Sequence, residues 1–194
     1  VCAAAHAGKV DPSVGIVCNG HLLPGKTDSF RCWIYKQYGM THSPEGRPLD
    51  GAEAVKKSCN IFFYEMGRRL GARGIAEAYR AFGVGEGFGL GIGPEFPGAI
   101  GAFDGDNSGA GLQVWDTILM GIGQGPVAWT PLHAADALAT LVRGGRRIAP
   151  HLVRGEPTRE LPPAPMPAEA RRLALQGLHG SVSDADGTGH AITY

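Results

Sequence analysis

Two long stretches of this chain, residues 13–49 and 83–113, carry glycine, proline and serine in place of a repeating apolar pattern. Irregular segments of that length are uncommon in a compact domain unless they are functional or pinned by something. Glycine supplies 31 of the 194 residues, about twice the ordinary share. It follows no collagen-like period, so it reads as turns and close backbone approaches. A chain of this length makes one domain, 1–194, and buries a core without needing cross-links merely to fold. Lys plus Arg equals Asp plus Glu at 18 each, which argues against a nucleic-acid partner. No apolar run is long enough to span a bilayer, and no signal peptide is visible.

Between and after the irregular stretches the helical period is clear. Asp50 with Glu53 three residues on predicts a short helix to about Lys57. Phe63, Met66, Gly67 and Leu70 predict a longer helix after Asn60, ended by Gly71. Ile75, Ala78, Tyr79 and Phe82 mark another, closed by Gly83. Thr130-Pro131 is a cap followed by proline at the first helical position. The helix it opens is expected to bury Leu132, Ala135, Leu138, Ala139 and Val142, and to stop at Gly144-Gly145. A short strand is expected over 148–153, and an extended proline-rich connector over 155–167. A last helix is predicted from about Ala168 to His179. Trp115 and Trp129 are expected to anchor packing around the Gly121–Gly125 turn. Arg68, Arg69, Arg146 and Arg147 read as solvated surface charges, and His133 as a partly buried helix residue.

Both ends read as cut. Val1 to Ala7 has the pattern of a helix's last turns, with Gly8 as terminator, and Gly187 to Tyr194 stops inside a β-prone stretch.

The cysteines carry the first chemical signal. Cys18, Cys32 and Cys59 fall in or beside the first irregular stretch, with His42 among them. The spacing is no zinc knuckle, but three thiolates and an imidazole fill a closed tetrahedral zinc shell. Such a metal would order the loop that holds it. A Cys18–Cys32 disulfide and unlinked buried thiols are the alternatives. His21 competes with His42 as the nitrogen ligand. Cys2 reads as a plain core thiol in the first helix.

Ser58-Cys59-Asn60 carries the second signal. In a locally extended link, Ser58 and Asn60 would share one cleft while Cys59 faces backward. One tripeptide would then serve both a polar site and a metal site. The plainer reading has Asn60 simply capping the next helix. Gly121-Ile-Gly-Gln-Gly125 lacks the lysine of a P-loop and does not fit the dinucleotide fingerprint.

The stretches HAGKVDP, FRCW, SCNIFFYEMGRRLG, Met120–Val153 and GTGHAITY together resemble the transpeptidase domain of class B penicillin-binding proteins, most of all the elongation-type penicillin-binding protein 2 subfamily. The resemblance implies an α/β, penicillin-binding-protein/β-lactamase-like transpeptidase fold, a helical subdomain on a mainly antiparallel sheet. It implies peptidoglycan D,D-transpeptidation through an acyl-serine, with stem peptides as substrates and β-lactams as inhibitors. It assigns Ser58 the proton-relay hydroxyl, and Asn60 the hydrogen bonds to the catalytic lysine and the substrate backbone. It places zinc, as a structural ion only, on Cys18, Cys32, His42 and Cys59. It further implies a SEDS-family glycosyltransferase partner, an N-terminal membrane anchor and an extracytoplasmic location. No Ser-x-x-Lys and no Lys-Ser/Thr-Gly occurs in the 194 residues. The resemblance sets these motifs just before Val1 and just after Tyr194, so the chain by itself is expected to be inactive. A non-catalytic scaffold or sensor of the same fold is the alternative, and a zinc-stabilised binding module a third.

Overall fold

The computed structural model describes residues 5–101 and 106–192. The expectations placed on Cys2, the start of the first helix and the last two residues lie outside that range. Ala5 and His6 are helical, and Gly8, at φ 64°, closes the turn as expected.

In chain order the elements are α1 (Trp33–Tyr38), a 3-10 turn (Pro44–Gly46), α2 (Gly51–Lys56), α3 (Asn60–Ala81), β1 (Ala99–Ile100), α4 (Val114–Met120), β2 (Val127–Ala128), α5 (Pro131–Val142), β3 (Arg147–Ile148), β4 (Glu160–Leu161) and α6 (Ala168–Ser183). β1 and β2 pair antiparallel, Ala99 opposite Ala128, and so do β3 and β4, Arg147 opposite Leu161. The architecture is thus mainly helical with small antiparallel sheet pieces, in agreement with the expected fold class. No described helix is long and apolar enough to cross a membrane.

Local chemistry explains the helix ends. The Asp50 carboxylate accepts the Glu53 N–H and the Glu53 side chain returns to the Asp50 N–H, a complete capping box for α2. α3 spans the two helices expected around Gly71. That glycine sits at φ 67°, ψ 179° inside the run, so the predicted break is a kink and not a gap. α4 was not legible as a helix. It opens with Gln113 and Asp116 in a reciprocal cap, outside the usual Ser/Thr/Asp/Asn set.

The core has two parts joined by α3. Its first half packs Ile61, Phe62, Tyr64 and Met66 with Cys18, Cys32, Leu49, Cys59 and Ile118. Its second half packs Ile75 and Ala76 with Val84, Ile100 and Met120. Two glycines permit the α3–α4 contact. A Cβ on Gly67 would stand 2.1 Å from the Thr117 carbonyl oxygen, and one on Gly121 would stand 2.2 Å from that of Phe63. The close-approach reading of Gly121 is therefore correct.

Five expectations change. α5 is a helix as predicted and is capped by Thr130, but it buries the opposite face. His133, Asp136 and Thr140 are its buried residues, while Leu138 and Val142 are 55% and 61% exposed. Periodicity identifies an apolar stripe, and this one is covered only in part, with Leu132 and Ala139 half-buried and Ala135, Leu138 and Val142 exposed. Arg147 is buried rather than a surface charge, its guanidinium lying against Gly83 with Nη2 3.2 Å from the carboxylate of the exposed Glu86. Trp115 is exposed and anchors nothing here, whereas Trp129 meets Tyr79 edge-on at 5.9 Å. The strand expected to reach residue 153 ends after Ile148, two residues before Pro150, which has no N–H to donate. α6 runs on to Ser183 because Gly177 and Gly180 let it lie against α2.

Candidate functional site

The first irregular stretch is pinned at several points. Ile16 and Leu49 form an isolated antiparallel bridge, as do His21 and Arg31. Between them the Cys18 N–H donates to Ser43 Oγ at 2.9 Å, which sets His42 beside Cys18. Cys32 is the N-cap of α1 and Cys59 the N-cap of α3, and neither uses its side chain as a cap. Both sulfurs turn inward.

Cys18 Sγ, Cys32 Sγ, Cys59 Sγ and a ring nitrogen of His42 all lie within 4.8 Å of one another, and all four residues are buried. His42 Nδ1 is 3.4 Å from Cys32 Sγ and 3.9 Å from Cys18 Sγ. A tetrahedron built from zinc–sulfur bonds of about 2.3 Å and a zinc–nitrogen bond of about 2.0 Å has sulfur–nitrogen edges of about 3.5 Å. The two distances bracket that edge. The three cysteines are free thiols. His21 stays out of the cluster and lines a separate cavity of about 300 Å³ with Asn19, Glu65 and Arg69.

The electrostatics follow from the crowding of the sulfurs. Hydrogen bonds from Cys32 and then Cys59 push the Cys18 thiol strongly down. The same crowding, with Cys18 and then Cys32 as the largest causes, pushes Cys59 strongly up. Three sulfurs this close cannot all be thiolates unless a cation sits between them. Burial opposes a charge on His42, but the Cys18 and Cys32 sulfurs outweigh it and raise its pKa to about 9. Donor set, spacing and charge all fit a divalent ion held without an open position.

The link in front of the cluster is not extended. Ser58 sits at φ 52°, in the left-handed region, and is exposed. A non-glycine residue there costs on the order of 1–3 kcal/mol and persists only where neighbours over-determine it. Here they do. The Trp33 Nε1–H donates to the Lys57 carbonyl at 3.1 Å, and the Thr188 N–H and hydroxyl both donate to the Lys56 carbonyl at 3.2 Å. Lys56 also pairs with Asp184 and Asp186, and Lys57 with Asp186. Ser58 is exposed and Cys59 is fully buried, so hydroxyl and sulfur lie on different sides of the corner without the extended link that was expected. Asn60 is the first residue of α3 and not its cap. Its side-chain N–H donates to the Arg31 carbonyl at 3.3 Å, which ties α3 to the chain just before Cys32.

Sequence reasoning missed Trp33, Thr188 and the two lysines as supports of this corner. The adjacent Lys56-Lys57 and the Asp184-x-Asp186 pair were the only signal, at a separation no local pattern covers. Trp33, His42, Lys57, Asp186 and Thr188 line a cavity of about 370 Å³ beside the corner.

A sequence profile described as the penicillin binding protein transpeptidase domain matches residues 1–194. The peptidoglycan D,D-transpeptidase MrdA of Salmonella typhimurium is 29% identical over 187 residues, which covers 87% of this chain and 28% of that protein. Among solved structures, Pseudomonas aeruginosa PBP2 in complex with WCK 5153 superposes with a TM-score of 0.74 at 24% identity, covering 100% of this chain and 45% of that one. A chain from a structure on the coordination of polymerization and crosslinking by a peptidoglycan synthase complex gives a TM-score of 0.70 at 25% identity, covering 94% of this chain and 30% of that one. The chain thus spans under a third of the length of the curated relative it matches.

Proposed function

The chain belongs to the penicillin-binding-protein transpeptidase family, and from that premise we propose that it serves peptidoglycan D,D-transpeptidation by a serine mechanism, with Ser58 as the proton-relay hydroxyl. The observation that carries this reading is the exposed, left-handed Ser58 at a corner fixed from both sides. A relay hydroxyl must be presented at one place and must not drift, because proton transfer needs the donor and acceptor within hydrogen-bond reach. Two carbonyl anchors and a buried cluster meet that need better than a free loop would.

Asn60 has the second role in this reading. Its amide is fixed by the Arg31 carbonyl on one side, which leaves its oxygen to accept from the lysine of the Ser-x-x-Lys motif or from the substrate backbone. The nucleophile belongs to that motif, which does not occur in the 194 residues. Cys18, Cys32, His42 and Cys59 would hold zinc. In a closed shell the ion supplies folding energy and no reactive position. Its chemical part is indirect, since Cys59 is bonded to both Ser58 and Asn60 along the chain. Stem peptides are the substrates in this reading, and β-lactams acylate the same nucleophile. The site acts on the extracytoplasmic side of a membrane, where a SEDS-family glycosyltransferase would supply glycan strands. The likeness to a chain from a peptidoglycan synthase complex that coordinates polymerization and crosslinking supports such a partner.

Covalent labelling tests the proposal. The protein carrying the Ser-x-x-Lys and Lys-Thr-Gly segments should be labelled by a fluorescent penicillin. Ser58→Ala should slow that labelling by about 10²–10⁴-fold, the ordinary share of a positioned proton relay. Equal rates for the two proteins would remove Ser58 from the mechanism. No labelling of either would favour the scaffold or sensor alternative.

A further inference from the structure

The cavity of about 370 Å³ beside the Ser58 corner has no part in the mechanism above. Its lining comes from three distant parts of the chain. Trp33, Ile34 and Pro44 supply apolar surface, and His42, Lys57 and Asp186 supply polar groups. Those parts are fastened to one another. The Trp33 Nε1–H donates to the Lys57 carbonyl at 3.1 Å, the Trp33 and His42 ring centroids are 5.7 Å apart, and Lys57 Nζ is 3.2 Å from Asp186 Oδ2. The cavity is therefore preformed. Its volume stands near the lower end of the roughly 300–1,000 Å³ usual for ligand sites, which suits a short peptide end and not a length of glycan.

The charges decide what kind of end. Asp186 holds two ammonium groups, Lys56 at 2.9 Å through Oδ1 and Lys57 at 3.2 Å through Oδ2. Lys57 has Asp186 as its one ion-pair partner among the described residues. A guest ammonium would have to displace two lysines from Asp186. A guest carboxylate has only to take the place of one aspartate oxygen at Lys57, and Asp186 keeps Lys56. Asp186 thus marks the position where Lys57 receives a carboxylate. A second donor is at hand. His42 turns Nδ1 to Cys32 and Cys18, at 3.4 and 3.9 Å, which leaves Nε2 for the cavity. With Nδ1 as the ligating atom, Nε2 keeps its proton and donates.

We propose that this cavity is the acceptor subsite, in which Lys57 Nζ and His42 Nε2 take the C-terminal carboxylate of the incoming stem peptide while Trp33 covers its apolar part. The assignment rests on the transpeptidase reading. In that reaction the acceptor amine attacks the carbonyl of the acyl-serine. The N–C bond forms, the C–O bond to the serine breaks, and the amine's proton passes through the Ser58 hydroxyl to the serine oxygen. The amine must therefore arrive on the Ser58 side, and Lys57, the residue joined to Ser58, lines the cavity.

The test uses the protein that carries the Ser-x-x-Lys and Lys-Thr-Gly segments. The probe is a synthetic pentapeptide with a lysine amine, made once as the C-terminal acid and once as the C-terminal amide. Acylation by a penicillin first fills the place of the acyl donor. The acid should then shift the Trp33 indole N–H resonance and bind about tenfold more tightly than the amide, the share of a charge-assisted hydrogen bond. Lys57→Met should abolish that preference. Asp186→Asn breaks the same ion pair but removes the resident carboxylate, so it should keep or sharpen the preference. With a thioester donor in place of the penicillin, the acid should also be the better acceptor of the wild type by a similar factor. Equal binding of acid and amide to a wild type that penicillin labels, or loss of the preference in both variants alike, would overturn the subsite and leave the Ser58 reading standing. A wild type that penicillin does not label would overturn the transpeptidase reading instead, and acid against amide on that unacylated protein would still decide the cavity.

Discussion

Gly67→Ala and Gly74→Ala are the same chemical change on one helix, and the structure gives them opposite signs. In an exposed helix interior, alanine stabilises by up to about 1 kcal/mol over glycine. A Cβ on Gly74 would meet only the Leu70 side chain, at 3.2 Å from Cδ2, and that end can turn aside. Gly74→Ala should therefore stabilise by between zero and about 1 kcal/mol. A Cβ on Gly67 would stand 2.1 Å from the Thr117 carbonyl oxygen, and Gly121 Cα would be 3.3 Å away. Carbon and carbonyl oxygen rest at about 3.3 Å or more, so α3 and α4 would have to part by about 1.2 Å. Overpacking of this kind costs about 1–3 kcal/mol and backbone yields less readily than side chain. Set against the helix gain, Gly67→Ala should destabilise by about 1–2 kcal/mol. At this chain length that lowers Tm by roughly 2–8 °C, while Gly74→Ala raises it by up to roughly 4 °C. Thermal unfolding followed by circular dichroism reads both. If Gly67→Ala melted at or above the wild type, the close crossing of α3 and α4 would be refuted. The positioning of Met120 and the glycine turn from α3 would fall with it.

Three further outcomes follow from the site and its surroundings. Trp33→Phe keeps an aromatic ring but trims the indole and removes the hydrogen bond to the Lys57 carbonyl, so it should cost at least about 1 kcal/mol and speed amide exchange around Ser58 more than elsewhere. Cys59→Ser should expose residues 13–49 to limited proteolysis far more than Cys2→Ser does, and equal cleavage would count against the metal brace. Glu95 accepts the N–H groups of Leu90, Phe88 and Gly89, which hold its carboxyl below the usual range, Leu90 most of all. Its contribution is therefore complete above the ordinary glutamate pKa of about 4.3 and is lost as pH falls through the lowered value. Glu95→Gln should flatten the acid limb of amide exchange in residues 88–90, and an unchanged limb would show that the carboxylate does not order the loop.

What could be read from the sequence depended on how local the cause was. Asp50 and Glu53 determine their cap within four residues, and the left-handed Gly71 breaks its helix without outside help, so both were legible. α5 was legible as a helix but not as a buried face. A periodic stripe says that one side differs from the other, and only the packing partner says which side is covered. The buried guanidinium of Arg147 depends on Glu86, 61 residues away, which no local pattern registers. The metal ligands were legible by type, and the resemblance favoured His42 over His21. The geometric reason is tertiary, since the Cys18–Ser43 hydrogen bond draws residue 42 inward while residue 21 pairs with Arg31. Ser58 was singled out, but its left-handed backbone was not, because Trp33 and Thr188 enforce it from distant parts of the chain.

The metal content of the protein, purified without chelator, tests the centre of this account, a sulfur-rich ion site behind an exposed serine. Elemental analysis with X-ray absorption should give one zinc per chain, bound by three sulfurs at about 2.3 Å and one nitrogen at about 2.0 Å. Protein that is folded and metal-free, or that carries a sulfur–sulfur bond in place of zinc, would contradict it.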